Sequence, residues 1–174
     1  LVGVVLSQYG LWQAIIRLPL GIVADWVGRR KPFIIGGFVL AALGAWLMGV
    51  SGQINGILIG RAITGLAAGT WVPLVVWFSS LFPPEEAVRA TALLTFVGSF
   101  GRMLATGVTG SLNALGGYSL AFYLAAASAG LAILVILPSK EQARLPKRPS
   151  LQSLGTLVTR RDVLLPSLLS AVSQ

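Results

Sequence analysis

The sequence predicts an all-α protein, a polytopic bundle of transmembrane helices, and two observations carry this prediction. Hydrophobic residues make up 55% of the chain and charged residues only 10%, so a water-soluble domain would lack the polar groups that must cover its surface. The mean hydropathy is +0.84, and the apolar residues form uncharged runs of roughly 20 residues, enough to cross about 30 Å of hydrocarbon. The alternating pattern of a membrane β-barrel is absent from the sequence.

The apolar runs define five spans and the beginning of a sixth. Glycine and proline inside several of them are tolerated, because neighbouring helices satisfy freed backbone groups in a membrane. The spans lie near 1–24, 33–51, 54–82, 89–112 and 118–138, and a sixth begins near Val163. This last run ends at Gln174, about halfway across a bilayer. We therefore expect the chain to be a piece of a larger protein.

The distribution of basic residues predicts the orientation of the spans. Ten of the thirteen Lys and Arg lie after the first, third or fifth span or beyond them, whereas the turns at 51–55 and 113–117 have none. An excess of Lys and Arg marks the cytoplasmic side, so the first span runs inward and the others alternate. The net charge of +8 is explained by these turns, and no basic face with exposed aromatics indicates nucleic-acid binding.

Two motifs accompany this topology. The first follows span one with the pattern G-x3-D-x2-G-R-R, formed by Gly21, Asp25, Gly28, Arg29 and Arg30. Its glycines permit a tight reversal, its Asp can pair at the helix end, and its arginines suit the anionic inner leaflet. The second lies in span three, where Arg61 is followed at four-residue spacing by Gly65 and Gly69. Small residues at this spacing let membrane helices approach closely.

Together these motifs resemble the inner-loop signature and the fourth-helix pattern of the major facilitator superfamily. The resemblance identifies the five spans with that family's helices two to six and the last run with the start of helix seven. It implies two six-helix halves around a central site and alternating access. Residues 1–138 would then form the incomplete N-terminal half, 139–162 the cytoplasmic linker, and 163–174 the truncated first helix of the C-terminal half.

The two charged inner turns are the predicted gate. Arg29 can pair with Glu85 or Glu86, and Asp25 with Arg89, because both turns lie on the cytoplasmic side. Exposed ion pairs contribute only about 0–1 kcal/mol, so such pairs can bias a nearly balanced equilibrium between access states but not dominate it. The alternative is that these residues only anchor the topology.

Three arginines, Arg17, Arg61 and Arg102, interrupt otherwise apolar spans. An arginine in a membrane span usually faces a cavity or a partner, and the planar guanidinium suits carboxylate or phosphate. By helical rise Arg102 lies roughly 20 Å from the inner boundary and Arg61 roughly 10 Å from the outer, at similar depths, with Arg17 lower. One interpretation is an anion site at Arg102 to which Arg17 or Arg61 contributes. The other makes Arg61 a structural or coupling arginine and Arg17 a packing residue.

Aromatic side chains give a weaker indication of the substrate pathway. Trp71, with Pro73, follows the glycine-rich stretch of span three and is the best aromatic candidate for lining it. An interfacial or packing role is the usual alternative for tryptophan in a membrane protein.

The predicted function is a secondary active transporter that moves a small solute, with an organic or inorganic anion as the favoured class. The alternatives are a multidrug or metabolite exporter and a non-transporting receptor or scaffold of the same fold. Exporters of this superfamily carry G-x3-G-P-x2-G-G where this chain has Ala105, Thr106 and Thr109 in place of Gly, Pro and Gly. The missing proline weakens the exporter alternative.

A membrane enzyme would need a catalytic nucleophile, a metal cluster or an acid pair inside the spans, and no such set appears, so the sequence predicts neither an enzyme nor a metal or cofactor site. The expected partners are the lipid bilayer, the transported solute and a coupling ion, either a proton or sodium, without nucleic acid. A multi-pass protein of the bacterial inner membrane is the expected location.

Overall fold

The computed structural model describes residues 2–139 and residue 141. Six helical segments account for this part of the chain, and it contains no strand. They are α1 (Val2–Val27), α2 (Lys31–Val50), α3 (Ile54–Ala68), α4 (Trp71–Ser79), a 3-10 turn (Pro84–Glu86) and α5 (Ala87–Ile136). The all-α fold class is confirmed. The predicted linker, apart from Ser139 and Glu141, and the predicted helix at 163–174 lie outside the described residues.

Contacts between the helices give their directions. Gly44 of α2 packs on Gly60 of α3 and Gly37 on Thr70, so α2 and α3 are antiparallel. Gly65 packs on Tyr9 and Gly69 on Ile16, so α1 runs parallel to α3. The basic residues at 29–31 and Arg89 therefore lie at one end of the bundle, and the uncharged turn at 51–55 lies at the other.

Helix α5 is folded back on itself at two glycines. Gly116 and Gly117 leave the helical conformation, and Gly117 has a φ of 70°, a value that glycine adopts without steric cost. The second arm of α5, residues 118–136, brings Tyr123 against Gly49, and the Lys31 side chain reaches the carbonyl of Leu137. This arm is thus antiparallel to α2, whereas the first arm, residues 87–115, is parallel to it.

By length and composition, three stretches of the described residues can cross a membrane: Lys31–Val50, Ile54–Ser79 and Pro84–Ile136. The last of these contains the reversal and so supplies both the fourth and the fifth predicted spans. Helix α1 has 26 residues, but Gln8, Gln13 and Arg17 interrupt its apolar run, and it is not one of the three. It ends three residues later than the predicted first span, so Asp25 belongs to its last turn.

Helix α3 packs closely on α1 and α2 because its glycines let these two neighbours approach. A Cβ atom built on Gly60 would lie 2.8 Å from the carbonyl oxygen of Gly44, and one built on Gly65 would lie 2.6 Å from that of Tyr9. Real Cβ atoms do not approach backbone oxygens this closely. The α1–α3 and α2–α3 contacts therefore depend on the absence of side chains at these positions.

Gly44 and Gly36 offer a matched test of this packing. Gly44→Ala places a methyl group 2.9 Å from the Gly60 oxygen, whereas Gly36 has no atom within 4 Å of its Cβ position. We expect Gly44→Ala to destabilise the full-length protein in detergent by about 1–3 kcal/mol, and Gly36→Ala to leave its melting temperature unchanged or raise it. Equal melting temperatures for the two variants would contradict the proposed α2–α3 packing.

Candidate functional site

The turn that carries the first motif, residues 25–31 and here called the signature turn, is built around Gly28. Helix α1 ends at Val27, and Gly28 has a φ of 68°, the left-handed conformation that commonly terminates helices at glycine. Its N–H donates to the carbonyl of Ala24 at 3.1 Å. Helix α2 then begins at Lys31, with Pro32 in its first turn, where the missing N–H of proline costs nothing.

Asp25 pairs within its own turn. Arg30 Nη2 donates to Asp25 Oδ1 at 2.6 Å, and the Asp25 side chain is 52% exposed. Because solvent screens a pair this exposed, it contributes at most about 1 kcal/mol. The pair holds the end of α1 against the start of α2.

Glu141 connects this turn to the end of the second arm of α5. Its Oε1 accepts hydrogen bonds from the backbone N–H groups of Arg30 and Lys31, the latter at 3.0 Å. Lys31 Nζ in turn donates to the carbonyls of Leu137 at 2.6 Å and Ser139 at 2.7 Å. A carboxylate at a helix N-terminus satisfies free N–H groups and interacts favourably with the helix dipole.

Glu141 was not predicted from the sequence, although two signals for it exist. Helix α2 has Arg30 at its N-cap position, with no side-chain cap of its own, so an acceptor must come from elsewhere. Glu141 is the one carboxylate between Glu86 and Asp162, and it follows the fifth span on the same side as the turn. Position in the topology, more than local sequence, is the signal.

The predicted gate pairs are not formed in this structure. Asp25 pairs with Arg30 instead of Arg89, and no ion pair joins the two inner turns within the described part of the chain. Arg29 lines a cavity of about 620 Å³ together with Lys31 and Glu141, and Glu86 and Arg89 line a different cavity of about 590 Å³. Glu85 is exposed. Pairing between these turns in another access state stays a prediction.

The second motif, which resembles the family's fourth-helix pattern, lies on the face of α3 that packs on α1. Gly65 contacts the backbone of Tyr9, and Gly69 contacts the side chain of Ile16. Arg61 precedes Gly65 by four residues and so shares this face, one turn nearer the outer end. It is half-buried.

The helix contacts give a second estimate of the relative depths of the three arginines. Gly69 packs on Ile16, and Gly98 packs on the ring of Trp71, which places Arg17 beside residue 70 of the bundle and Arg102 beside residue 67. Arg17 and Arg102 thus differ in depth by roughly 5 Å, and Arg61 lies roughly 9 Å farther out than Arg102. Counting from the span ends puts Arg102 and Arg61 at similar depths, and that expectation stays a prediction, because the contact at Gly98 is made by the far end of the Trp71 ring.

Arg102 and Arg17 are both exposed. Arg102 Nη2 donates to Ser99 Oγ at 3.0 Å, one turn back along the same helix. The carboxylates among the described residues all lie at the inner end, at Asp25, Glu85, Glu86 and Glu141. No acid in the described spans therefore neutralises Arg102.

Trp71 packs on the first arm of α5 and is half-buried, and its place in the substrate pathway stays a prediction. Trp71 begins α4 and places its ring against Gly98 of the first arm of α5. Pro73 is fully buried, which corrects its assignment to the pathway. The described residues contain no group of three or more His, Cys, Asp or Glu that could hold a metal ion.

The family model of the Major Facilitator Superfamily matches residues 1–173. The chain belongs to the major facilitator superfamily. Membership makes it part of a multi-pass integral membrane protein of a transporter family. It also confirms the resemblance by which the five predicted spans were identified with the family's helices two to six.

Individual members of the superfamily share extended similarity with the chain. The inner membrane transport protein YajR of Escherichia coli is 36% identical over 102 residues, 58% of this chain and 21% of YajR. The uridine/deoxyuridine transporter of Lactococcus lactis is 27% identical over 162 residues, 92% of this chain and 33% of that protein. Monosaccharide-sensing protein 2 of Arabidopsis thaliana is 33% identical over 103 residues, 59% and 14% respectively. The chain spans a third or less of the length of each relative.

Replacing Glu141 tests its role at the α2 N-terminus. We expect Glu141→Ala to destabilise the full-length protein by about 1 kcal/mol, the usual cost of losing a helix cap, and to speed amide hydrogen exchange at Arg30 and Lys31. Glu85→Ala is the control, because Glu85 makes no hydrogen bond within the described residues. Unchanged exchange at Arg30 and Lys31 in Glu141→Ala would contradict the capping role.

Proposed function

We propose that this chain contributes one half of a secondary active transporter that moves a small anionic solute by alternating access across a bacterial inner membrane. The observation that carries the anion assignment is Arg102, an exposed guanidinium in the middle of a transmembrane arm without a carboxylate near it in the described spans. An unneutralised charge in a span requires backbone carbonyls, water, an acid from another helix or an oppositely charged ligand, and we propose the last of these.

The chemistry of the guanidinium supports an anion over a cation or an apolar solute. It offers donors in a fixed planar fork and always carries its charge, so it matches carboxylate and phosphate oxygens. Arg17 lies at nearly the same depth and can add to the positive potential, whereas Arg61 is displaced toward the outer end. The proposed site therefore consists of Arg102 assisted by Arg17.

The relatives favour transport over the alternative functions. The proposed substrate class rests instead on the residues of the proposed site. Two of them are named as transporters, one for uridine and deoxyuridine. A third is named for monosaccharide sensing, which keeps a receptor of the same fold as the second candidate. Uptake into vesicles separates the two, because a receptor binds its ligand without accumulating it.

The two inner turns are proposed as the cytoplasmic gate. The turn at Gly28 is rigid, because the Asp25–Arg30 pair and the Glu141 cap both hold it. The opposing turn presents Glu86 and Arg89 at a separate cavity. Asp25 can exchange Arg30 for Arg89 when the turns approach, and exchange between exposed partners changes the free energy by only about 1 kcal/mol. Such a latch shifts the populations of two nearly balanced states. The coupling ion, a proton or sodium, would act through groups outside these turns.

Arg102 variants test the anion site. Thermal stabilisation of the full-length protein by a panel of carboxylates and phosphates should identify a ligand, and Arg102→Gln should abolish that stabilisation. We expect Arg102→Lys to retain part of it, because the charge remains while the planar fork is lost. Neutral solutes in the same panel serve as the control. Anion stabilisation that persists in Arg102→Gln would overturn the site, and stabilisation without uptake would favour the receptor.

A double-mutant cycle tests the gate. Asp25→Asn and Arg89→Gln should each change the transport rate by up to about fivefold, as expected for an exposed pair, and their combination should be non-additive. The Asp25→Asn and Arg30→Gln cycle is the comparison, because it probes the pair seen in the structure. If Asp25→Asn leaves both the transport rate and the inward and outward populations unchanged, the latch does not exist.

A further inference from the structure

Between residues 91 and 109 the first arm of α5 carries a single polar stripe, whereas Arg89 and Ser111 near its two ends lie off it. Between residues 91 and 109, every hydroxyl and charged side chain falls at intervals of three or four residues: Thr91, Thr95, Ser99, Arg102, Thr106 and Thr109. At about 100° per residue these positions fall within about 80° of the helix circumference. Thr95, Ser99, Arg102 and Thr106 are exposed, while the two end residues are half-buried.

The rest of the circumference is apolar. Gly98 marks the face that packs on α4 through Trp71, and it lies beside the stripe. The opposite side carries Phe96, Val97 and Leu104, which are 67%, 57% and 50% exposed. This apolar side suits lipid, so the helix has three faces, one packed, one apolar and one polar.

The four threonine hydroxyls of the stripe share one hydrogen-bonding direction. Each threonine Oγ1 lies within hydrogen-bond distance of the carbonyl four residues earlier, at 2.9 Å for Thr91, 2.9 Å for Thr95, 2.8 Å for Thr106 and 2.6 Å for Thr109. A carbonyl only accepts, so the hydroxyl must donate its proton there. Each threonine then presents only acceptor lone pairs outward. Arg102 is the one cationic donor on the stripe.

Back-bonded threonines alone could face lipid, because their protons are satisfied within the helix. The confinement of all six polar residues to one arc argues against that arrangement, and Arg102 excludes it, since a guanidinium in hydrocarbon costs several kcal/mol. The stripe also runs from near the inner end of the arm to near its outer end. A continuous polar line of this kind suits a water-filled path.

We propose that this stripe is a wall of the substrate path and that it selects carboxylates bearing a hydroxyl or amino group on a neighbouring carbon. The carboxylate binds the Arg102 guanidinium, which lies at Ser99, and the hydroxyl or amino group donates to the lone pairs of Thr95, one turn farther along the stripe. A simple fatty or mineral anion lacks those donors. This inference rests on the proposed transport function and adds the substrate class to it.

Cysteine accessibility tests the wall without knowledge of the substrate. The chain contains no cysteine, so single cysteines can be introduced into the full-length protein after any others are replaced. Thr95→Cys and Thr106→Cys are compared with Val97→Cys and Leu104→Cys, which lie at matching depths on the apolar side. The reagent is the membrane-impermeant anion 2-sulfonatoethyl methanethiosulfonate. We expect the stripe positions to react on the order of tenfold faster, because a thiol in an apolar environment stays protonated and inert.

The charge preference of the path is measured in the same variants. In the Thr106→Cys variant, adding Arg102→Gln should lower the reaction rate of the anionic reagent, relative to that of its trimethylammonium analogue, by about tenfold. The reason is that a single fixed charge concentrates counter-ions in a narrow path. Only variants that elute from size exclusion as the parent does are scored. Equal reactivity on both faces, or protection of the stripe in every condition, overturns the proposal and indicates that another helix covers this face.

Uptake competition tests the substrate class. A 2-hydroxycarboxylate should compete better than the unsubstituted carboxylate of equal length, and Thr95→Val should reduce that advantage by about threefold to tenfold, the value of one hydrogen bond. Thr106→Val, farther from the guanidinium on the same stripe, is the control and should leave the advantage unchanged. Equal competition by the two solutes overturns the substrate class. A protein that transports nothing but reacts at the stripe would refute the transport function alone. A protein that transports but is unreactive there would refute the stripe alone.

Discussion

The close approach of α3 to its two neighbours is the constraint on which the other features depend. Apolar side chains gain little from meeting one another inside lipid, so membrane helices associate where their backbones can touch. Gly44 and Gly60 provide such a contact on one side of α3, and Gly65 on the other. With α1, α2 and α3 fixed, both ends of the signature turn are positioned, and so is the depth of Arg17 relative to Trp71 and Gly98.

The signature turn combines two kinds of interaction that differ in strength. The hydrogen bonds from α2 to Glu141 and from Lys31 to the last carbonyls of α5 join segments more than one hundred residues apart. The Asp25–Arg30 pair is local and half-exposed. A turn held firmly from outside and only loosely within can exchange its internal pair without losing its position, which is what a latch between access states requires.

Much of the fold could be predicted from the sequence, because charge distribution and span length report directly on the membrane. The five spans and their alternating directions follow from the apolar runs and from the basic residues Arg29 and Arg89 at one end of the bundle. The candidate site was harder to predict from the sequence. Glu141 acts on a helix distant in sequence, and the depth of Arg102 depends on a contact between Gly98 and Trp71. Neither has a local pattern. Pro73 was misassigned because an apolar residue in a span packs or lines a path equally well by sequence alone.

Gly116 and Gly117 join the two arms of α5 at the outer end of the bundle, and they would be the pivot of any tilt between the arms. Lys31 and Glu141 fasten the second arm to α2, so a tilt at the pivot would move the first arm together with Trp71, on which its Gly98 packs. Arg102 lies roughly 21 Å from the pivot and Ala87 roughly 44 Å. Any tilt therefore displaces the inner turn about twice as far as the arginine. A small adjustment around a bound solute would be enlarged at the cytoplasmic surface.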